Sequence, residues 1–183
     1  MADEPAAPSP GELRCAAGAA AWSFAFASIS FYWAIGGTFG VSTVGNQVES
    51  YSSTVPDFFV ILWIDVVAKA LLGALAVVLA IPSWRRAVPG KASLPTIAWT
   101  AGFLMLAYGS VEFTVTGFSA LLMATKVLTP SPSVDWTGIV GHLVLWDPYW
   151  ALGGVLFLLS IKGVGARVRR WLPRRIRPIS HST

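Results

Sequence analysis

Five ionisable side chains sit in or beside long apolar stretches and define the chemistry this chain could do: Asp65, Lys69, Glu112, His142 and Asp147. Placing such a group inside a membrane span costs roughly 2.5–3.5 kcal/mol on insertion scales, so each is a site hypothesis by default. Asp65 and Lys69 are spaced i, i+4 and share one helix face. Gly73, Ala76 and Ala80 continue that face as small residues suited to a bundle interior. Glu112 has no partner in its own stretch; its face reads Ala98, Gly102, Met105, Gly109, Glu112, Thr116, with Tyr108 one turn before the acid. Helix-rise arithmetic puts Asp65 and Glu112 at comparable depth, so Lys69 could bridge the two acids. An acid framed by Trp and Tyr could protonate an apolar substrate and stabilise the resulting cation over the ring faces. Asp65 and Glu112 are the candidate acids, with Lys69 and His142 as candidate catalytic partners.

His142 and Asp147 fall near the outer edge of the last apolar stretch. Asp147-Pro148 reads as a helix start, Asp as N-cap and Pro at the first helical position. Residues 136–146 are then either a separate interfacial or re-entrant segment or the first part of one helix kinked at Pro148. Asp57, directly after Pro56, is a favourable charge in a first helical turn.

The elements that carry these residues follow from composition. Of 183 residues, 55% are hydrophobic and only 12% charged, where a soluble domain has about a quarter charged. That composition excludes disorder and nucleic-acid binding despite the net charge of +4. Four apolar stretches, about 15–37, 56–81, 94–124 and 136–161, suffice to cross a hydrocarbon core of about 30 Å, and only helices satisfy their own backbone there. The expected fold is an all-α polytopic membrane protein with four transmembrane helices. A flexible leader, 1–14, and a basic tail, 163–183, flank the domain; the acidic, Pro/Ala-rich leader lacks the basic start of a signal peptide.

Basic residues give the orientation. Arg85, Arg86 and Lys91 separate the second and third stretches, and Lys162, Arg167, Arg169, Arg170, Arg174, Arg175 and Arg177 follow the fourth. The opposite side offers Lys126. The positive-inside rule therefore predicts both termini in the cytoplasm.

A short repeat supplies the aromatic wall. Tyr32-Trp33-Ala34-Ile35-Gly36-Gly37 recurs as Tyr149-Trp150-Ala151-Leu152-Gly153-Gly154. Both copies are expected toward the outer leaflet, where Trp and Tyr prefer the interface and paired glycines admit a neighbouring helix. With Tyr108, Trp146 and Asp147 they give a predicted pocket lining of Tyr32, Trp33, Tyr108, Trp146, Asp147, Tyr149 and Trp150. The segments Phe31–Thr38 and Leu145–Phe157 resemble a family of small bacterial four-helix membrane proteins of unknown function with the pattern His-x-Tyr-Trp-Ala-x-Gly-Gly. Ser30 stands at the His position here. The resemblance spans roughly residues 20–162 and implies the four-helix architecture and a bacterial plasma membrane, without an activity.

Some chemistries have no residues to run them. Cys15 is the single cysteine, and two His, one of them in the tail, make no zinc or haem site. No phosphate loop, nucleophile elbow or metalloprotease His pair is present. No metal and no cofactor are expected. Three readings follow: a membrane bundle binding a lipid-like molecule, a membrane-protein partner or its own copy through its outer half; an acid/base enzyme on a lipid or isoprenoid, cyclase- or isomerase-like; and a small proton- or ion-coupled transporter subunit with Asp65, Lys69 and Glu112 as relay.

Overall fold

The computed structural model describes residues 8–45, 58–90, 92–129, 131 and 134–161. The expectations for residues 1–7, Pro56, Asp57, Lys91 and the basic tail from Lys162 onward lie outside the described residues. Among those described the chain is all helical: α1 (Pro10–Ala34), a 3-10 turn (Val41–Thr43), α2 (Phe58–Ala80), α3 (Pro82–Ala87), α4 (Leu94–Ala124), α5 (Trp136–Gly141), a π turn (His142–Trp146) and α6 (Asp147–Leu159). α1, α2, α4 and the run Trp136–Leu159 are each long and apolar enough to cross a membrane.

α1 starts at Pro10, five residues before the expected Cys15, and so claims part of the leader. The cause is a reciprocal capping box: the Glu12 N–H donates to Ser9 Oγ (3.3 Å) and the Ser9 N–H to Glu12 Oε2 (2.7 Å), with Pro10 opening the helix. It ends at Ala34 rather than Gly37, because Gly36 takes φ +95, a left-handed conformation that stops the helix at little steric cost. α4 matches the expected third stretch, and at 31 residues it is about 46 Å long.

Of the two alternatives for the last stretch, the continuous helix is the one the structure shows, with a π turn just before Pro148. The chain from Trp136 to Leu159 is one helical run, widened at His142–Trp146. The Asp147 N–H donates five residues back to the His142 carbonyl. The reason lies one residue on: Pro148 has no N–H to give, and its ring would crowd the carbonyl four residues back, so an extra residue is taken into the turn. Asp147 therefore caps nothing, and it lies midway along the run rather than at its outer edge.

Packing is uneven. α1 lies along α2 on one side and against α6 on another, α4 lies along α6, and α2 and α4 scarcely touch. The core is made of small and aromatic residues: Ala16, Ala19, Trp22 and Phe26 of α1, Ala76 and Leu79 of α2, Ala98 and Met105 of α4, with Trp146 and Phe157. As expected, Lys69, Gly73 and Ala76 form the buried face of α2, and a Cβ at Gly73 would lie 2.9 Å from the Phe24 ring. The opposite face exposes Val60, Ile61, Ile64, Val67 and Leu71.

Candidate functional site

Two buried polar nodes flank a wall of aromatic rings. The first is centred on Lys69 of α2, only 6% exposed. Its ammonium has three protons to place: one goes to Asp65 Oδ2 at 2.6 Å and one to Ser30 Oγ at 2.8 Å. The Nζ also sits 3.6 Å above the centre of the Phe26 ring and 5.6 Å from that of Trp150. The i, i+4 pairing is thus as expected, whereas the bridge to Glu112 is not made. Glu112 is half-buried and has no hydrogen bond or ion pair to another described residue.

The second node is made by the π turn. His142 and Asp147 are five residues apart, which on a regular α-helix would turn them about 140° from each other. The widened turn brings them together, with Nδ1 2.8 Å from Asp147 Oδ1. The other ring nitrogen, Nε2, lies 3.2 Å from the carbonyl oxygen of Val44, beyond the end of α1. Next to it the Trp146 N–H donates to Thr43, sharing itself between the carbonyl and Oγ1 at 3.1 Å each. Asp147 is buried, and its Oδ2 has no hydrogen-bond partner.

Between the nodes, the Phe26 ring meets Trp150 edge-on at 5.0 Å and stacks on Trp146 at 6.1 Å. Tyr108 of α4 meets Trp150 at 5.4 Å. Tyr149 stacks on Trp22 at 5.2 Å, and the two exchange hydrogen bonds: the Trp22 N–H to the Tyr149 carbonyl (2.9 Å) and the Tyr149 hydroxyl to the Trp22 carbonyl (3.2 Å).

Of the residues expected to line a pocket, Trp146, Tyr149, Trp150 and Tyr108 join this wall and Asp147 sits beside it. Trp33 touches its rim, 5.5 Å from Trp146. Tyr32 does not join: it is exposed, and its hydroxyl accepts from the Phe39 N–H. The two repeat copies also differ in role and depth. Gly36 ends α1, whereas Gly153 and Gly154 lie inside α6, against the Trp22 ring and the α4 backbone. Trp22, Phe26 and Ser30 were not among the expected site residues, although their spacing of four along α1 is a signal the sequence carries. Val44 and Thr43 had no signal, since only the folded loop brings them to the π turn.

A groove of about 390 Å³ runs between α4 and α6 and is open on one side. Gly109, Ser110, Phe113 and Thr114 line it from α4, and Asp147, Pro148 and Ala151 from α6. At Gly109 the two helices meet backbone to backbone along one edge of the groove: a Cβ there would lie 2.6 Å from the Asp147 carbonyl oxygen.

Four helices long and apolar enough to cross a membrane, with the Lys69 ammonium and the Asp147 carboxyl buried among them, define the class: an all-helical bundle of helices fit to span a membrane. Within it the chain belongs to a family of proteins of unknown function, DUF3995, whose model matches residues 23–157. No curated protein and no solved structure matches the chain.

Proposed function

We propose that this chain is a multi-pass protein of a bacterial plasma membrane that binds a lipid-like amphiphile in the groove between α4 and α6. The observation that carries the reading is the groove itself. Its volume of about 390 Å³ falls in the range of roughly 300–1,000 Å³ typical of small-molecule sites. Phe113, Pro148 and Ala151 offer apolar surface, and Ser110 and Thr114 offer polar groups. An open side at mid-span suits a ligand that arrives from the bilayer. Aromatic rings rather than polar groups lie between the two charged nodes, so no observation favours an ion relay.

Ser110→Trp, at an exposed lining position, fills the groove while leaving the Asp65–Lys69 and His142–Asp147 side chains themselves unchanged. Native mass spectrometry of the protein released from its own membrane should find an amphiphile retained by the wild type and retention at least ten-fold lower in this variant. Equal retention overturns the groove as the site. A second reading, an acid/base enzyme on an apolar substrate, is favoured by the adjoining His142–Asp147 pair. It requires that Asp147→Asn retain the molecule yet stop its conversion.

Both termini are proposed to lie in the cytoplasm, on the asymmetry of Lys and Arg. In a Cys15→Ser background, Val127→Cys should react with a membrane-impermeant maleimide in intact cells, and Ala87→Cys only after permeabilisation. The reverse pattern inverts the topology.

A further inference from the structure

We infer that His142 is a proton-dependent clasp that fastens the segment following α1, residues 36–45, to the π turn. The clasp follows from a count of protons. Nε2 faces a backbone carbonyl, which can only accept, and Nδ1 faces a carboxyl oxygen. Both contacts are hydrogen bonds only if the pair holds two protons: one on Nε2, and one between Nδ1 and Oδ1, as imidazolium with carboxylate or as imidazole with carboxylic acid. Remove one, and a single proton remains for two acceptors. It stays on Nδ1, because the carboxylate carries a full charge and the Val44 carbonyl only a partial one. The Nε2 lone pair then faces the Val44 oxygen, and that contact turns repulsive.

The geometry gives the proton a route and the release a consequence. The His142 side chain is 26% exposed while that of Asp147 is fully covered, so exchange with the surroundings runs through the imidazole. Val44 adjoins Thr43, which holds Trp146, so release of one loosens the loop that covers this end of the aromatic wall. The other titratable groups on the elements around the pair are Tyr108 and Glu112 of α4, Tyr149 of α6, Asp135 at the start of α5, and Tyr32 near the end of α1; Lys69 lies beyond Phe26 and Trp150. Among these, Tyr108 is close enough to sense both Glu112 and Asp147. The clasp is closed at lower pH and opens as pH rises.

The test compares maleimide reactivity of Val44→Cys with that of Ser42→Cys, an exposed neighbour, each in Cys15→Ser protein in nanodiscs between about pH 5 and pH 9. The ratio cancels the pH dependence of the thiol. It should rise roughly three- to ten-fold across the range, the size of one net hydrogen bond. His142→Gln, which does not titrate, should give a flat ratio. So should Asp147→Asn, for a different reason: its amide can donate to Nδ1, leaving the Nε2 proton on Val44 at every pH. The second variant carries the test if the first does not fold. A flat wild-type ratio overturns the clasp, and so does a rise that persists in Asp147→Asn.

Discussion

Gly154→Val should abolish the folded bundle, or cost it more than about 3 kcal/mol, beyond the usual 1–3 kcal/mol of an overpacked core. A Cβ at this position would lie 2.5 Å from the Leu106 nitrogen and 2.7 Å from the Gly102 carbonyl oxygen. Both are backbone atoms of α4, so no rotamer change can relieve the overlap and the helices must separate. Separation would also undo the meeting of Gly102 with Phe157, where a Cβ would lie 2.9 Å from the Phe157 Cβ. Helix pairs in lipid associate by close packing rather than by escape from water, so an increase in axis distance removes what holds them. Gly18→Ala is the matched control. Its Cβ would meet the end of the Leu156 side chain at 3.3 Å, which can swing aside. Thermal unfolding of the detergent-solubilised protein, with recovery of the monodisperse species, separates the two. Wild-type unfolding of Gly154→Val would mean that α4 and α6 do not pack backbone to backbone.

The contrast between Gly154 and Gly36 also shows why only part of the arrangement was legible from residue order. Hydropathy located the four spans because their length is set by the bilayer, and the α2 face through Asp65, Lys69, Gly73 and Ala76 could be drawn because a regular helix repeats every 3.6 residues. The first helix start was written in Ser9-x-x-Glu12, but the leader's composition pointed the other way. The repeat misled because a glycine's role depends on its neighbours. Gly36 has open space around it and turns left-handed, while Gly153 and Gly154 are walled in by Trp22 and α4. His142 and Asp147 defeated helical arithmetic, since a π turn changes the period at that point. The groove was beyond any pattern in one helix: it is a gap between two helices whose pairing the sequence does not state. Glu112 was conspicuous in the sequence because it lacked a partner in its own span, and the fold supplies none among the described residues.

Lys69→Met should destabilise the protein by roughly 3 kcal/mol, and adding Asp65→Leu should restore most of the loss. Methionine keeps the length of the stem and removes the charge. Asp65 would then stand among Ile61, Ile64 and its other apolar neighbours with nothing to neutralise it, and Ser30, fully buried on α1, would lose the donor it now accepts from. The Lys69 side chain is buried and that of Asp65 is 38% exposed on an otherwise apolar helix; removing the partner strands that carboxylate, whereas replacing both residues by apolar ones of similar volume is often neutral. The double variant therefore asks what the pair is for. An ammonium held by Asp65, Ser30 and the face of Phe26 is satisfied on every side, as expected of a strut joining α2 to α1 rather than of a group waiting for a substrate. Recovery of stability in the double variant, with retention of the proposed amphiphile unchanged, fixes Asp65 and Lys69 as that strut. Recovery of stability with loss of retention would instead return Asp65 to the binding site. A double variant no more stable than Lys69→Met would show that the stranded carboxylate is not what the single substitution costs, leaving the lost contacts to Phe26 and Ser30 as the interaction that holds the two helices together.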